Sequence, residues 1–313
     1  MTDDADIRIQ RIGVDLEAPS ESSVIEFHCE RIKRIENLER CTALKKLAIV
    51  SNLVEKIEKL DSNTALETLD LYQNNIKIIE NIGHLHALRV LDVSFNQIEV
   101  IENLESLINL RELYLTNNKI ATVENLCMLK QLELLELGSN RIREYGDIGA
   151  LTALKSLWLG RNKITSMQVP PLPMLNKLSL QNNRIDTWDE RLATGCPMLS
   201  ELYLSFNGLK EVPAWINTMK MLKILDLGNN QISKINITED NIYIEELWLN
   251  DNALEEEIDI EPLRRFSRLK VLYLERNPIQ SKLGPSYRNR VLHILPQITQ
   301  LDALEVSGRV CVD

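Results

Sequence analysis

The pattern L-x-x-L-x-L-x-x-N-x-I/L recurs eleven times along this chain, and its period constrains the fold more than any other feature. Its first leucine-type position falls at Leu44, Leu66, Leu88, Leu110, Leu132, Leu154, Leu175, Leu199, Leu222, Ile244 and Leu269. The spacing stays between 21 and 25 residues. A degenerate unit precedes them, with Ile25, Phe27, Ile32, Ile35 and Leu38 in phase. A period of this size belongs to a solenoid, in which each unit buries its apolar side only against its neighbours.

Within L-x-L the apolar period is two, which predicts a short strand. Leu47 and Ile49 face one way, and Lys46, Ala48 and Val50 face the other. The second constant of each unit is an asparagine, from Asn52 and Asn74 through to Asn252 and Asn277. Where a strand turns away, buried backbone groups lose their ladder partners. An amide both donates and accepts, so a stack of asparagines satisfies them. These residues are read as structural. The expected architecture is an α/β leucine-rich repeat solenoid. Parallel strands line its concave face, short helical or irregular segments its convex face, and caps close both ends.

The return segments vary. Stretches such as Ile101–Leu104, part of a recurring I-E-N-L phrase, suit a single helical turn. The Val169–Pro173 segment cannot form a regular helix, because its prolines lack the donor and fix φ. Longer returns around Asp189–Pro197 and Glu255–Phe266 leave room for α turns. Tyr287, Val291, Leu292 and Leu295 fall on one helical face, which predicts a capping helix. The expected organisation is an acidic, partly disordered segment over 1–23, a repeat array of about twelve units over 24–277, and a cap and tail over 278–313.

One position per strand should point out of the fold on the concave side. In order these are Ala48, Asp70, Asp92, Tyr114, Glu136, Trp158, Ser179, Tyr203, Asp226, Trp248 and Tyr273. Aromatic residues make up 5% of the chain, yet five of these eleven are Tyr or Trp. A solvated face has no physical reason to collect rings, whereas a binding face uses them as rigid anchors among charges. Glu246, two residues before Trp248, adds a further acid on the same side. The expected partner surface carries basic residues among apolar ones.

Other chemistry is sparse. The net charge of −10 argues against nucleic acid and against anionic membrane surfaces. No apolar run approaches a membrane span, and Met1–Asp4 is not the start of a signal peptide. Five scattered cysteines, Cys29, Cys41, Cys127, Cys196 and Cys311, fit free thiols in a reducing, intracellular compartment. Cys127 and Cys196 are read as packing residues, and His84 and His86 as solvated. Asp70 and Asp92 should be neighbours, close enough in principle for a divalent cation. No histidine or third acid completes a shell, so they are read as receiving Arg or Lys from a partner. No metal, cofactor or catalytic residue is expected.

The 22-residue unit with I-E-N-L, the phrases Leu135–Ile142 and Leu272–Pro278, and the Tyr287–Asp302 cap resemble the protein phosphatase 1 regulatory subunit 7 family. The resemblance covers about residues 24–304 and rests most specifically on the outward row. It implies a non-catalytic regulatory subunit, monomeric when unbound and found in nucleus and cytoplasm. Its concave face would bind the catalytic subunit of protein phosphatase 1, alongside a second inhibitor subunit. Carried over by motif, the contacts would be Asp92, Glu136, Asp226, Glu246, Trp248 and Tyr273. Tyr114 and Trp158 stand where the family commonly has Phe. The residues alone add Asp70 and Tyr203. The alternative is a scaffold for another intracellular protein, since axonemal, tubulin-handling and spliceosomal relatives share repeat and cap.

Overall fold

The computed structural model describes residues 8–238 and 243–306. The chain divides into two compact units, Met1–Ser156 and Leu157–Asp313. Cys311 lies outside the described residues, as does any disorder expected of residues 1–7.

The first unit stacks six parallel strands: β1 (Val24–His28), β2 (Lys46–Val50), β3 (Thr68–Asp70), β4 (Val90–Asp92), β5 (Glu112–Tyr114) and β6 (Leu134–Glu136). The register places Leu47, Leu69, Leu91, Leu113 and Leu135 directly over one another. Each is fully buried. Residues 10–16 pack as a further turn ahead of β1. Gln10 bridges to Ile32, Ile12 is fully buried, and Asn37 donates to the Ile12 carbonyl at 2.7 Å. Ile12 thus packs against the start of the stack, ahead of β1.

The second unit contains β7 (Ser156–Trp158), β8 (Lys177–Ser179), β9 (Glu201–Tyr203), β10 (Glu211–Val212), β11 (Ile224–Asp226), β12 (Lys234–Ile235), β13 (Glu246–Trp248) and β14 (Val271–Tyr273). Strand β11 pairs with β9 and β13, in parallel, and β14 follows β13. The short strands β10 and β12 pair separately on the return side. Two α turns form where the longer returns predict them, α1 (Arg191–Gly195) and α2 (Glu257–Ile260).

The asparagine ladder follows one scheme in both units. Asn96 Oδ1 accepts the Ile76 N–H at 2.9 Å, while its Nδ2 donates to the carbonyls of Leu71, Val93 and Ser94 at 3.0 to 3.1 Å. Each asparagine thus ties its own strand end to the preceding repeat. The residue just before it adopts a left-handed backbone, as at Gln73, Phe95, Asn117, Phe206 and Arg276.

The I-E-N-L segments depart from expectation. They form no helical turn. Instead Asn81, Asn103 and Asn125 are left-handed and donate to the carbonyls of Ile57, Ile79 and Ile101 at 2.7 to 2.8 Å. This second ladder makes a positive φ tolerable, since Asn is among the few residues that adopt it readily. The tight turns come one step later, with Leu107 N–H bonded to the Leu104 carbonyl and Leu110 N–H to that of Leu107. Gly146 meets the same demand without an amide: a Cβ there would lie 1.8 Å from the Val123 carbonyl oxygen.

At the C-terminus α3 (Pro278–Leu283) and α4 (Tyr287–Ile294) close the second unit. Tyr287, Val291 and Leu295 are buried as expected, but Ile294 is buried in place of Leu292, which is half-exposed. A hairpin of β15 (Gln300–Leu301) and β16 (Leu304–Glu305) finishes the sheet. Asp302 stands where a further repeat would supply ladder groups. It accepts the N–H groups of Leu274 and Glu275 at 2.8 and 2.9 Å, and the Tyr287 hydroxyl at 3.2 Å.

Candidate functional site

On the strand face of the first unit, Ala48, Asp70, Asp92, Tyr114 and Glu136 stand opposite one another in register. Asp70, Asp92, Tyr114 and Glu136 are half-buried, and Ala48 is covered. The acids also bond their own backbone. Asp70 Oδ1 accepts the Tyr72 N–H at 3.0 Å, and Asp92 Oδ1 accepts the Ser94 N–H at 2.8 Å. Burial pushes the Asp92 carboxyl above its ordinary range; the Ser94 hydrogen bonds oppose this, and Asp70 and Glu136 add to it.

In the second unit, Tyr203, Asp226, Trp248 and Tyr273 are likewise in register, with Ser179 opposite Tyr203. The rings form two pairs. Trp158 and Tyr203 stack with centroids 6.1 Å apart and planes at 22°. They meet across the intervening strand, and Ser179 is 4% exposed. Trp248 and Tyr273 meet edge to face at 5.3 Å. A small residue at 179 thus gives two large ones room to meet.

Three rings are held by a glutamate two residues earlier. The Tyr114 hydroxyl donates to Glu112 at 2.8 Å, the Tyr203 hydroxyl to Glu201 at 2.8 Å, and Trp248 Nε1 to Glu246 at 2.7 Å. Burial, then the glutamate bond, pushes both phenols well above their ordinary range. A fixed ring loses little rotamer freedom on binding, so these anchors are set in advance. Glu246, expected to meet a partner, is engaged with its own tryptophan. Glu112 and Glu201 were not singled out from sequence. The recurring E-L-Y, E-L-Y and E-L-W triplets were the available signal.

Asp226 occupies its expected place in the row but is only 2% exposed. Its carboxylate accepts the Ser205 hydroxyl at 2.6 Å and the Gly228 N–H at 3.0 Å. A directly presented acid is therefore corrected to an internal one, covered between the strands of Tyr203 and Trp248. Burial raises its pKa, and these two bonds oppose the rise. The stability tied to a raised carboxyl is fully present below the unfolded pKa and is lost as pH rises through the folded one. Asp226→Asn keeps an acceptor for Gly228 and removes the buried charge. The variant should unfold at a higher denaturant midpoint than wild type at about pH 7, with the difference vanishing at about pH 3. Paired chemical denaturation at the two pH values checks this.

Away from the strand face, Cys196 is buried and its thiol is pushed up to about 11, as suits a packing residue. Cys127 is exposed, which corrects its reading as a packing residue. His84 is not simply solvated, since its Nε2 bonds the Leu60 carbonyl at 3.0 Å. Trp188 and Trp215 form an edge-to-face pair at 5.7 Å on the return side, with Trp188 Nε1 donating to the Glu211 carbonyl. Among the described residues no helix is long and apolar enough to cross a membrane.

This geometry defines a leucine-rich repeat protein, a repeat scaffold suited to protein binding. Residues 213–309 match a leucine-rich repeat family model, and residues 64–103 and 86–128 match one for leucine-rich repeats in two copies. Among curated proteins, a probable U2 small nuclear ribonucleoprotein A' of Drosophila melanogaster is 30% identical over 122 residues, 38% of this chain and 45% of that protein. Mouse fibromodulin is 29% identical over 116 residues, 36% of this chain and 31% of that protein. The matches thus span less than half of those relatives' own length. Among solved structures, an internalin of Listeria monocytogenes aligns with a TM-score of 0.68 at 24% identity, over 92% of this chain and 88% of that one. This likeness concerns the fold alone.

Proposed function

We propose that this chain is a non-catalytic regulatory subunit whose strand face binds the catalytic subunit of protein phosphatase 1 and controls its activity, maturation or localisation. The observation that carries partner binding is the set of fixed, half-buried rings beside carboxylates, with Trp158, Tyr203, Trp248 and Tyr273 paired before any partner arrives. Rings at an interface centre supply most of the affinity, and the surrounding charge selects the partner. The name of the partner rests on the resemblance of the row, the I-E-N-L unit and the cap to the regulatory subunit 7 family. The direct contact set is Asp70, Asp92, Tyr114, Glu136, Trp158, Tyr203, Trp248 and Tyr273. Glu246 holds the indole of Trp248, and the buried Asp226 holds Ser205 and the backbone at Gly228.

Capture of the purified phosphatase catalytic subunit on the immobilised full chain tests this reading. Binding is expected for wild type. Asp92→Lys should weaken it by about tenfold or more through charge reversal. No capture by wild type removes the phosphatase from the proposal, and unchanged binding by Asp92→Lys removes that residue from the contact set.

A second reading is favoured by the partial likeness to a U2 small nuclear ribonucleoprotein A'. It is a scaffold in a spliceosomal assembly, for which co-purification from cells would return ribonucleoprotein components in place of the phosphatase.

A further inference from the structure

We propose that the rings of Tyr72 and Phe95, together with the adjoining Asp70 and Asp92, form a docking surface for an arginine side chain of a protein partner. The proposal deepens the reading of the strand face as a partner surface and rests on it. It concerns the first unit alone, and two of its four residues lie outside the outward row.

Phe95 is the starting point. It is 39% exposed, and its backbone is left-handed with φ of 55°. In the same unit that position is held elsewhere by Ser51, Gln73, Asn117 and Ser139, all polar. A phenyl ring offers the strained backbone no hydrogen bond, and its exposure brings no burial in return. The ring does not fill the core. It packs on Tyr72 of the preceding repeat, with centroids 4.9 Å apart and planes at 47°. The result is an aromatic patch at the strand ends, half-open to solvent.

Charge beside the patch selects its occupant. Asp70 and Asp92 are directly opposite in register. Tyr72 lies two residues beyond Asp70, on the same side of the chain. One oxygen of each acid accepts a backbone N–H, as described above. The nearby Lys46 is paired with Glu26 at 2.6 Å. Asp92 is thus partly buried beside further acids, with no cation bonded to it among the described residues.

A guanidinium matches this arrangement. Its planar fork bridges two carboxylates, its face stacks on aromatic rings, and its aliphatic stem covers apolar surface. An ammonium is a compact, strongly hydrated point charge and meets fewer of these demands.

The test titrates the full chain with a short capped peptide carrying one arginine beside a leucine, and with its lysine and citrulline versions. Binding is read by NMR at the rings of Tyr72 and Phe95 and the carboxyls of Asp70 and Asp92. The arginine peptide should give saturable shifts at these four residues that weaken as salt rises. The lysine version should bind more weakly, and citrulline should leave the signals unmoved. Phe95→Asn places a residue suited to the left-handed backbone there, so the unfolding midpoint should hold or rise. Arginine-peptide affinity should fall by about tenfold in that variant.

Equal binding of the citrulline peptide, undiminished binding by Phe95→Asn, or shifts confined to other residues would each overturn the proposal. A lysine peptide that binds as tightly as the arginine one overturns the guanidinium assignment. Phosphatase capture by wild type without any peptide response at these residues sinks this inference alone. A peptide response without phosphatase capture sinks the phosphatase reading alone.

Discussion

The double variant Trp158→Ala, Trp248→Ala should lose phosphatase binding while keeping its fold. Each tryptophan belongs to a different ring pair of the second unit, so the substitution breaks both pairs. Both are half-buried on the strand face and neither belongs to the leucine core. Truncating a central aromatic anchor typically costs about 2 kcal/mol or more of binding. Each loss alone should therefore weaken affinity by about thirtyfold, and the pair by more than about a hundredfold. Surface plasmon resonance with the phosphatase catalytic subunit gives the affinities, and far-ultraviolet circular dichroism with a denaturant midpoint establishes folding. Full-strength binding by a folded double variant would remove the rings from the interface and, with them, the main support for the proposal.

Asn96→Ala should cost the first unit a substantial part of its stability. Asn96 is 8% exposed and makes four bonds to backbone groups of its own and the preceding repeat. Alanine leaves the Ile76 N–H without its acceptor, while the carbonyls of Leu71 and Val93 each lose one of two amide donors and keep those of Asn74 and Asn118. An unsatisfied buried backbone group costs about 1–3 kcal/mol. Water reaching the strand end recovers part of this, so the net loss should be about 2 kcal/mol. Urea denaturation measures it, and protection of the Ile76 amide from hydrogen exchange shows whether the damage is local. Asn96→Asp restores the acceptor but not the donors and adds a buried charge, so it should not rescue. A loss below about 1 kcal/mol would mean that the ladder asparagines are not the structural elements their bonds suggest.

Most of the fold was legible in the sequence because a repeat states its geometry many times. One L-x-L triplet is ambiguous, whereas eleven at a fixed period set strand, register and the face of every side chain together. The row was legible for the same reason, and Asp70, Asp92, Tyr114 and Glu136 stand opposite one another as the period requires. The return segments were less legible. The I-E-N-L phrase reads as a helical turn by composition, yet the Asn103 side chain reaches back to the Ile79 carbonyl and holds the backbone left-handed. That bond joins residues 24 apart, so no local propensity contains it.

What the row does within itself was decided only by tertiary packing. Alternation put Asp226 on the outer side, but outer is not exposed: Ser205 and Gly228 hold its carboxylate beneath neighbouring strands. Ser179 reads as a bland gap, yet its small size lets Trp158 and Tyr203 meet across it. Glu246 reads as an acid awaiting a partner, yet its carboxylate holds the indole of Trp248. Sequence determines which face a side chain is on, because the backbone period is a property of the strand itself. Whether that side chain is free to meet a partner depends on how side chains from three adjacent repeats share one surface, and only the stacked structure settles that.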